Sequence, residues 1–156
     1  MSSSLIVGMG EIQVVRGAGS VLTALGLGSC IGVCLYDPLS RVAGKFADTA
    51  IPAIVQQMVS MGASASRLKA AIAGGAQLFQ FGVSNSLDVG ARNSEAVVSA
   101  LRQAGIPLVT KDVGGSTGRT LRLISDNGLV VVRTIGGAER ELSVLGNILA
   151  SAGVAA

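Results

Sequence analysis

The sequence predicts an α+β domain in which many short strands are covered by two helices. Short apolar or alternating runs, bounded by glycine, proline or Asp126-Asn127-Gly128, recur along most of the chain, and helical spacing shows in only two places. Hydrophobic residues make up 49% of the 156 and charged residues 13%, a balance that buries a core and leaves no room for long polar arms. That length suits one domain over residues 1–150, with 151–156 expected to fray as a tail.

Leu5 to Met9 and Glu11 to Val15 read as strands separated by Gly10. Val21 to Leu27 leads through a glycine turn, Gly26-Leu27-Gly28-Ser29, into the apolar run Cys30 to Tyr36, which stops at Asp37-Pro38. From Asp48 the period changes. Ile51, Ile54 or Val55, Met58 and Met61 recur at helical spacing, Asp48 is placed to cap, Pro52 falls in the first turn, and Gly62 ends the helix. Ala70 to Ala73 is a short strand stopped by Gly74-Gly75. The second helix is predicted from about Asn93, as cap, to Ala104, with Ala96, Val97, Ala100 and Leu101 inward and Gly105 as its stop. Leu108 to Val113, Arg119 to Ser125 and Leu129 to Ile135 complete the strands. Arg119 to Ile124 alternates, which predicts one buried and one wet face. Asp126-Asn127-Gly128 reads as a hairpin turn with positive φ at Asn127 and Gly128.

Composition then excludes functions. The chain contains no histidine, so it supplies no Ser-His-Asp or Cys-His relay and no imidazole ligand. With two cysteines and no His it lacks the four ligands of a tetrahedral zinc site, and no metal or cofactor is predicted. Cys30 and Cys34, four apart on one strand, would stand roughly 13 Å from each other, too far for a disulfide. Aromatics are 3% and the net charge is +3, with arginines scattered, which argues against nucleic acid as a partner. Two uncharged stretches, Gly17 to Tyr36 and Ala70 to Leu87, approach the ~20 residues of a membrane span. The first carries five glycines and the second carries Gln77, Gln80 and Asn85, so neither is expected to insert. With no signal-peptide pattern at the start, a cytoplasmic location is expected.

Gly26-Leu27-Gly28-Ser29-Cys30 is the strongest candidate for chemistry. Glycines let the backbone turn sharply and present the next side chain, and consecutive N–H groups in such a turn suit a developing oxyanion. Cys30 is therefore a candidate nucleophile; the alternative is ordinary packing at the start of an apolar strand. Cys34, deeper in the strand, reads as core. Gly26-x-Gly28 is not a nucleotide loop, because a strand follows it instead of a helix. Gly114-Gly115-Ser116-Thr117-Gly118-Arg119 offers an anion cradle with Arg119 as partner, against the plainer reading of a glycine loop between strands.

The order of these pieces carries a resemblance. Gly26-Leu27-Gly28-Ser29-Cys30, then Val33 to Pro38, Lys45-Phe46-Ala47-Asp48-Thr49-Ala50, Ala73-Gly74-Gly75-Ala76, Gly90-Ala91-Arg92-Asn93, Asp112-Val113-Gly114-Gly115 and Gly118-Arg119 together resemble the CheD family of chemotaxis proteins over about Val7 to Gly137. The resemblance implies a sandwich of mostly antiparallel strands with two helices packed on one side. It also implies deamidation of chemoreceptor glutamines to glutamate, and association with receptor cytoplasmic helices and with a CheC-type phosphatase. The family's nucleophile maps onto Cys30, with Gly28, Ser29 and Thr23 as oxyanion or site-shaping residues and Gly114, Gly115 and Arg119 as a binding loop. Its threonine falls on Ala24, next to Thr23. Its catalytic histidine belongs to an Ala-His-x-x-Leu-Pro stretch expected between Asp37-Pro38 and Lys45-Phe46, where Arg41-Val42-Ala43-Gly44 here runs straight into Lys45.

That difference bears on rate. Amide hydrolysis by a thiol needs a base to form the thiolate, an acid for the departing ammonia and a base for the attacking water. Asp37 and Asp48 are poor substitutes, since a close carboxylate disfavours a thiolate, and Lys45 helps only if it stands beside Cys30. Two readings follow: a receptor deamidase impaired by the loss of its base, or a non-catalytic binding protein of the same fold.

Overall fold

Ten strands pair into two five-stranded sheets in a computed structural model of the chain, which describes residues 3–47, 51–77 and 89–146. The first sheet runs β1 (Ser3–Ile6), β3 (Ser20–Leu27), β8 (Arg119–Ile124), β9 (Leu129–Thr134), β10 (Glu139–Val144). The second runs β2 (Ile12–Arg16), β5 (Val42–Ala47), β4 (Ile31–Asp37), β6 (Lys69–Gly74), β7 (Leu108–Val113). All neighbours are antiparallel except β1 with β3 and β6 with β7. The helices α1 (Ile51–Ser60) and α2 (Val89–Gln103) both pack on the second sheet, so the α+β sandwich with helices on one side is the observed architecture.

Two apolar layers hold this together. Between the sheets lie Leu22, Ala24, Leu121, Leu123, Val130 and Val132 from the first and Cys34, Tyr36, Ala43, Ala71 and Ala73 from the second. Between the second sheet and the helices lie Ile31, Val33, Leu35, Val42, Phe46 and Ile72 against Ile51, Ile54, Met58, Val97 and Leu101. β4 is the central strand of the second sheet and is buried on both faces, which is why its sequence is a continuous apolar run. β8 alternates because, among the described residues, neither helix packs on the outer face of the first sheet.

Several sequence expectations need correction. β5 and β10 were not expected as strands: Gly44 and Lys45 interrupt the first, and Glu139-Arg140-Glu141 makes the second polar. α2 begins at Val89, so Asn93 lies inside the helix and is not its cap. In the β8–β9 turn Gly128 has φ +75°, but Asn127 does not have positive φ; its Oδ1 instead accepts the Leu129 amide at 3.1 Å. The expected Asp48 cap and the tail 151–156 lie outside the described residues.

Candidate active site

Cys30 closes the short turn 28–30 between β3 and β4 and is half-buried. The turn is held by all three of its carbonyls. Gly28 O accepts the Ala76 amide at 2.9 Å, Cys30 O accepts the Gly75 amide at 3.1 Å, and Ser29 O accepts Asn93 Nδ2 from α2 at 2.9 Å. Asn93 thus acts on the turn that carries the thiol. The sequence reading took it for a helix cap, and the only signal of its role was its place in the ordered motifs.

Gly74 and Gly75, at the end of β6, bring the clamp close enough. Gly74 has φ +118°, and a Cβ there would collide with the Cys30 carbonyl oxygen. No other residue type reaches that conformation and that proximity together. On the other side of the clamp Gly90, in the first turn of α2, faces the Gly75 carbonyl with no space for a side chain.

Arg119 backs this arrangement. Its Nη1 donates to Gly74 O at 2.9 Å and its Nη2 to Gly114 O at 2.7 Å, while its Nε lies 3.4 Å from Asp112 Oδ2. Gly114 also donates its amide to Gly74 O at 3.0 Å. The loop containing Gly114 and Gly115 therefore works as a buttress behind the Gly74–Gly75 turn, and the buried guanidinium already has its partners.

A groove of about 280 Å³ opens on Cys30, lined by residues 6–9 and 24–30. Gly28, Ser29 and Ala24 belong to it; Thr23 does not, and lines a neighbouring hollow on the outer face of the first sheet instead. The groove's shape depends on a β-bulge. Ala24 pairs with Leu121 and Leu27 with Arg119, so Leu25 and Gly26 together face one residue of β8. Gly26, at φ +61°, turns the strand and leaves Leu25 61% exposed at the groove's edge. Among the described residues lining the groove, the thiol is the one titratable side chain.

Of the three nearby charges named from sequence, Lys45 and Asp37 serve elsewhere. Lys45 is fully buried between the sheets, its Nζ 3.5 Å from Cys34 Sγ, not beside Cys30. Burial pushes the Lys45 amine below its usual pKa and the Cys34 thiol above its own, each opposed but not overcome by the other. Asp37 is buried at the far end of β4. Burial alone would raise its pKa, yet hydrogen bonds from Arg67, Ser64, Leu39 and Ser40 outweigh it and hold the carboxyl well below the usual range. Asp48 lies outside the described residues.

The family model for CheD, described as chemotactic sensory transduction, matches residues 37–134, from the end of β4 to the end of β9. The chain belongs to the CheD family. A probable chemoreceptor glutamine deamidase CheD from Symbiobacterium thermophilum is 44% identical, with 87% of this chain and 95% of that one covered. One from Desulfitobacterium hafniense is 41% identical over 90% of this chain and 99% of its own. The chemoreceptor glutamine deamidase CheD of Thermotoga maritima is 38% identical over 86% and 94%. In this CheD protein the matched region contains Gly74, Gly75, Asn93 and Arg119, the residues that clamp and buttress the thiol turn.

Proposed function

We propose that this CheD protein acts on chemoreceptors as a glutamine deamidase with Cys30 as nucleophile, at a rate lowered by the absence of a histidine base. The observation that carries this is the placement of Cys30 at the end of an apolar groove, in a turn whose carbonyls are all tied back. The thiol sulfur attacks the side-chain amide carbon, and the Gly28–Cys30 backbone amides are assigned to the resulting oxyanion. Ammonia leaves with a proton, a thioester remains, and water releases glutamate and regenerates the thiol. All three proton transfers fall to solvent, since no described residue lining the groove carries a base. Acid–base assistance typically contributes 10²- to 10⁴-fold, which sets the expected deficit.

The lack of any histidine in the chain supports the lowered rate. The match to the Symbiobacterium relative runs over 157 aligned positions while using 87% of a 156-residue chain, so it includes positions where the relative has residues and this chain has none. Helices of the receptor cytoplasmic region are the proposed substrate surface, and a CheC-type phosphatase is a proposed second partner at the same face. A cytoplasmic location goes with both; among the described residues no helix is long and apolar enough to cross a membrane.

The base-free groove also favours a second reading, a binding protein that holds receptor helices without converting them. Incubation with receptor fragments separates the two. Cys30-dependent formation of glutamate supports the deamidase, whereas association that survives Cys30→Ala with no conversion supports the binder.

A further inference from the structure

The groove at Cys30 does not end at its own wall. Ile6 and Leu25 line it on one side, and on their other side they line the hollow of about 370 Å³ formed with Val21, Thr23, Ile124 and Val131 on the outer face of the first sheet. Both wall residues are large, apolar and open to solvent, Ile6 at 53% and Leu25 at 61%, and Met9 at the groove's mouth is 76% exposed. Neither helix covers this face, because both pack on the second sheet. The result is an apolar ridge flanked by two hollows, one of which contains the thiol.

We infer that this ridge is an exosite for the glutamine-bearing helix: the target amide enters at Cys30 while apolar side chains on the same helix face straddle Ile6 and Leu25 and fill the second hollow. The inference rests on the reading of Cys30 as the reacting group, and it names what selects the substrate around it. A helix fits the surface by geometry. Its side chains form rows at three- and four-residue spacing, and such rows pack on either side of a ridge. β3 spans about 26 Å at ~3.3 Å per residue, enough to lie along several helical turns. The exposed Arg122–Glu139 ion pair, 2.6 Å between Nη1 and Oε2, edges the second hollow and supplies the polar rim that apolar docking sites carry. The bulge at Leu25-Gly26 is what raises the ridge, and it does so in the strand that leads directly into the turn ending in Cys30.

The test is anisotropy of a labelled helical fragment from a chemoreceptor cytoplasmic region containing a target glutamine. It is titrated with the wild-type chain, Leu25→Asp, Met9→Glu and, as a control on the second sheet, the exposed Val109→Asp. Circular dichroism melts verify that each variant folds, and Met9→Glu, outside the strands, stands in if Leu25→Asp does not. Leu25→Asp and Met9→Glu are expected to weaken binding by at least roughly tenfold, with Val109→Asp unchanged. A fragment whose apolar row is replaced by serine should bind the wild type equally poorly and discriminate no further against Leu25→Asp, the non-additivity of a direct contact. Binding by the wild type that the folded ridge variants leave intact overturns the exosite and spares the deamidase reading. No binding by the wild type overturns both.

Discussion

Arg119 donates to the Gly74 carbonyl at 2.9 Å, one residue before the amide that holds the Cys30 carbonyl. A side chain on the first sheet thus sets the position of the thiol turn that leads into the second through one glycine pair. Arg119→Met leaves the Gly74 and Gly114 carbonyls short of a charged donor and should lower stability by about 1–3 kcal/mol. Arg119→Lys should not restore it, because one ammonium does not replace a fork that reaches two carbonyls and Asp112. Urea melts of the three proteins check this, and equal midpoints would remove the buttress.

Gly74→Ala tests the clamp itself. The substitution places a methyl group against the Cys30 carbonyl at a φ that L-residues rarely adopt, so a loss of about 2–4 kcal/mol is expected. The rate of Cys30 alkylation by iodoacetamide should change with it, because the turn must shift to make room. Unchanged melting and labelling would show that the turn keeps its position without the glycine.

Lys45→Met should stabilise the protein at neutral pH by about 1–3 kcal/mol. The folded state disfavours the charged amine while the unfolded chain carries it freely up to its ordinary pKa of ~10.4, so burying the ammonium costs stability that methionine does not. A lowered amine pKa also means that wild-type stability rises as pH climbs from the folded value toward that limit, and methionine removes this dependence. Melts at several pH values would contradict the account if methionine were destabilising throughout.

Asp37 has the opposite linkage. Its folded pKa is lowered, so its contribution is complete above the unfolded value of ~3.9 and fades as pH falls below it. Asp37→Asn should be about 1.5–3 kcal/mol less stable than wild type at pH 7, and the gap should close below about pH 4. A gap that is constant across that range would mean the carboxylate's charge is not what Arg67 and the Ser64 amide stabilise.

The fold was legible wherever burial was one-sided or complete. β4 reads as an unbroken apolar run because both its faces are covered, and β8 alternates because one of its faces is wet. β5 was hidden because a fully buried lysine and a glycine under Met58 break its pattern for reasons that exist only in three dimensions. β10 was hidden because an edge strand with exposed Glu139, Arg140 and Glu141 has no buried face to reveal it. The thiol turn was legible from its glycines. Its supports were not: Asn93 looked like a helix cap, because a carbonyl as hydrogen-bond partner leaves no trace in the sequence.

The most direct measurement is mass spectrometry of receptor fragments incubated with the wild-type chain and with Cys30→Ala, reading the gain of about 1 Da that replacement of NH₂ by OH produces. The predicted result is slow conversion that the substitution abolishes. Rapid conversion by the wild type would contradict the account by showing that a base acts at Cys30 after all, and conversion that persists in Cys30→Ala would remove the thiol from the chemistry.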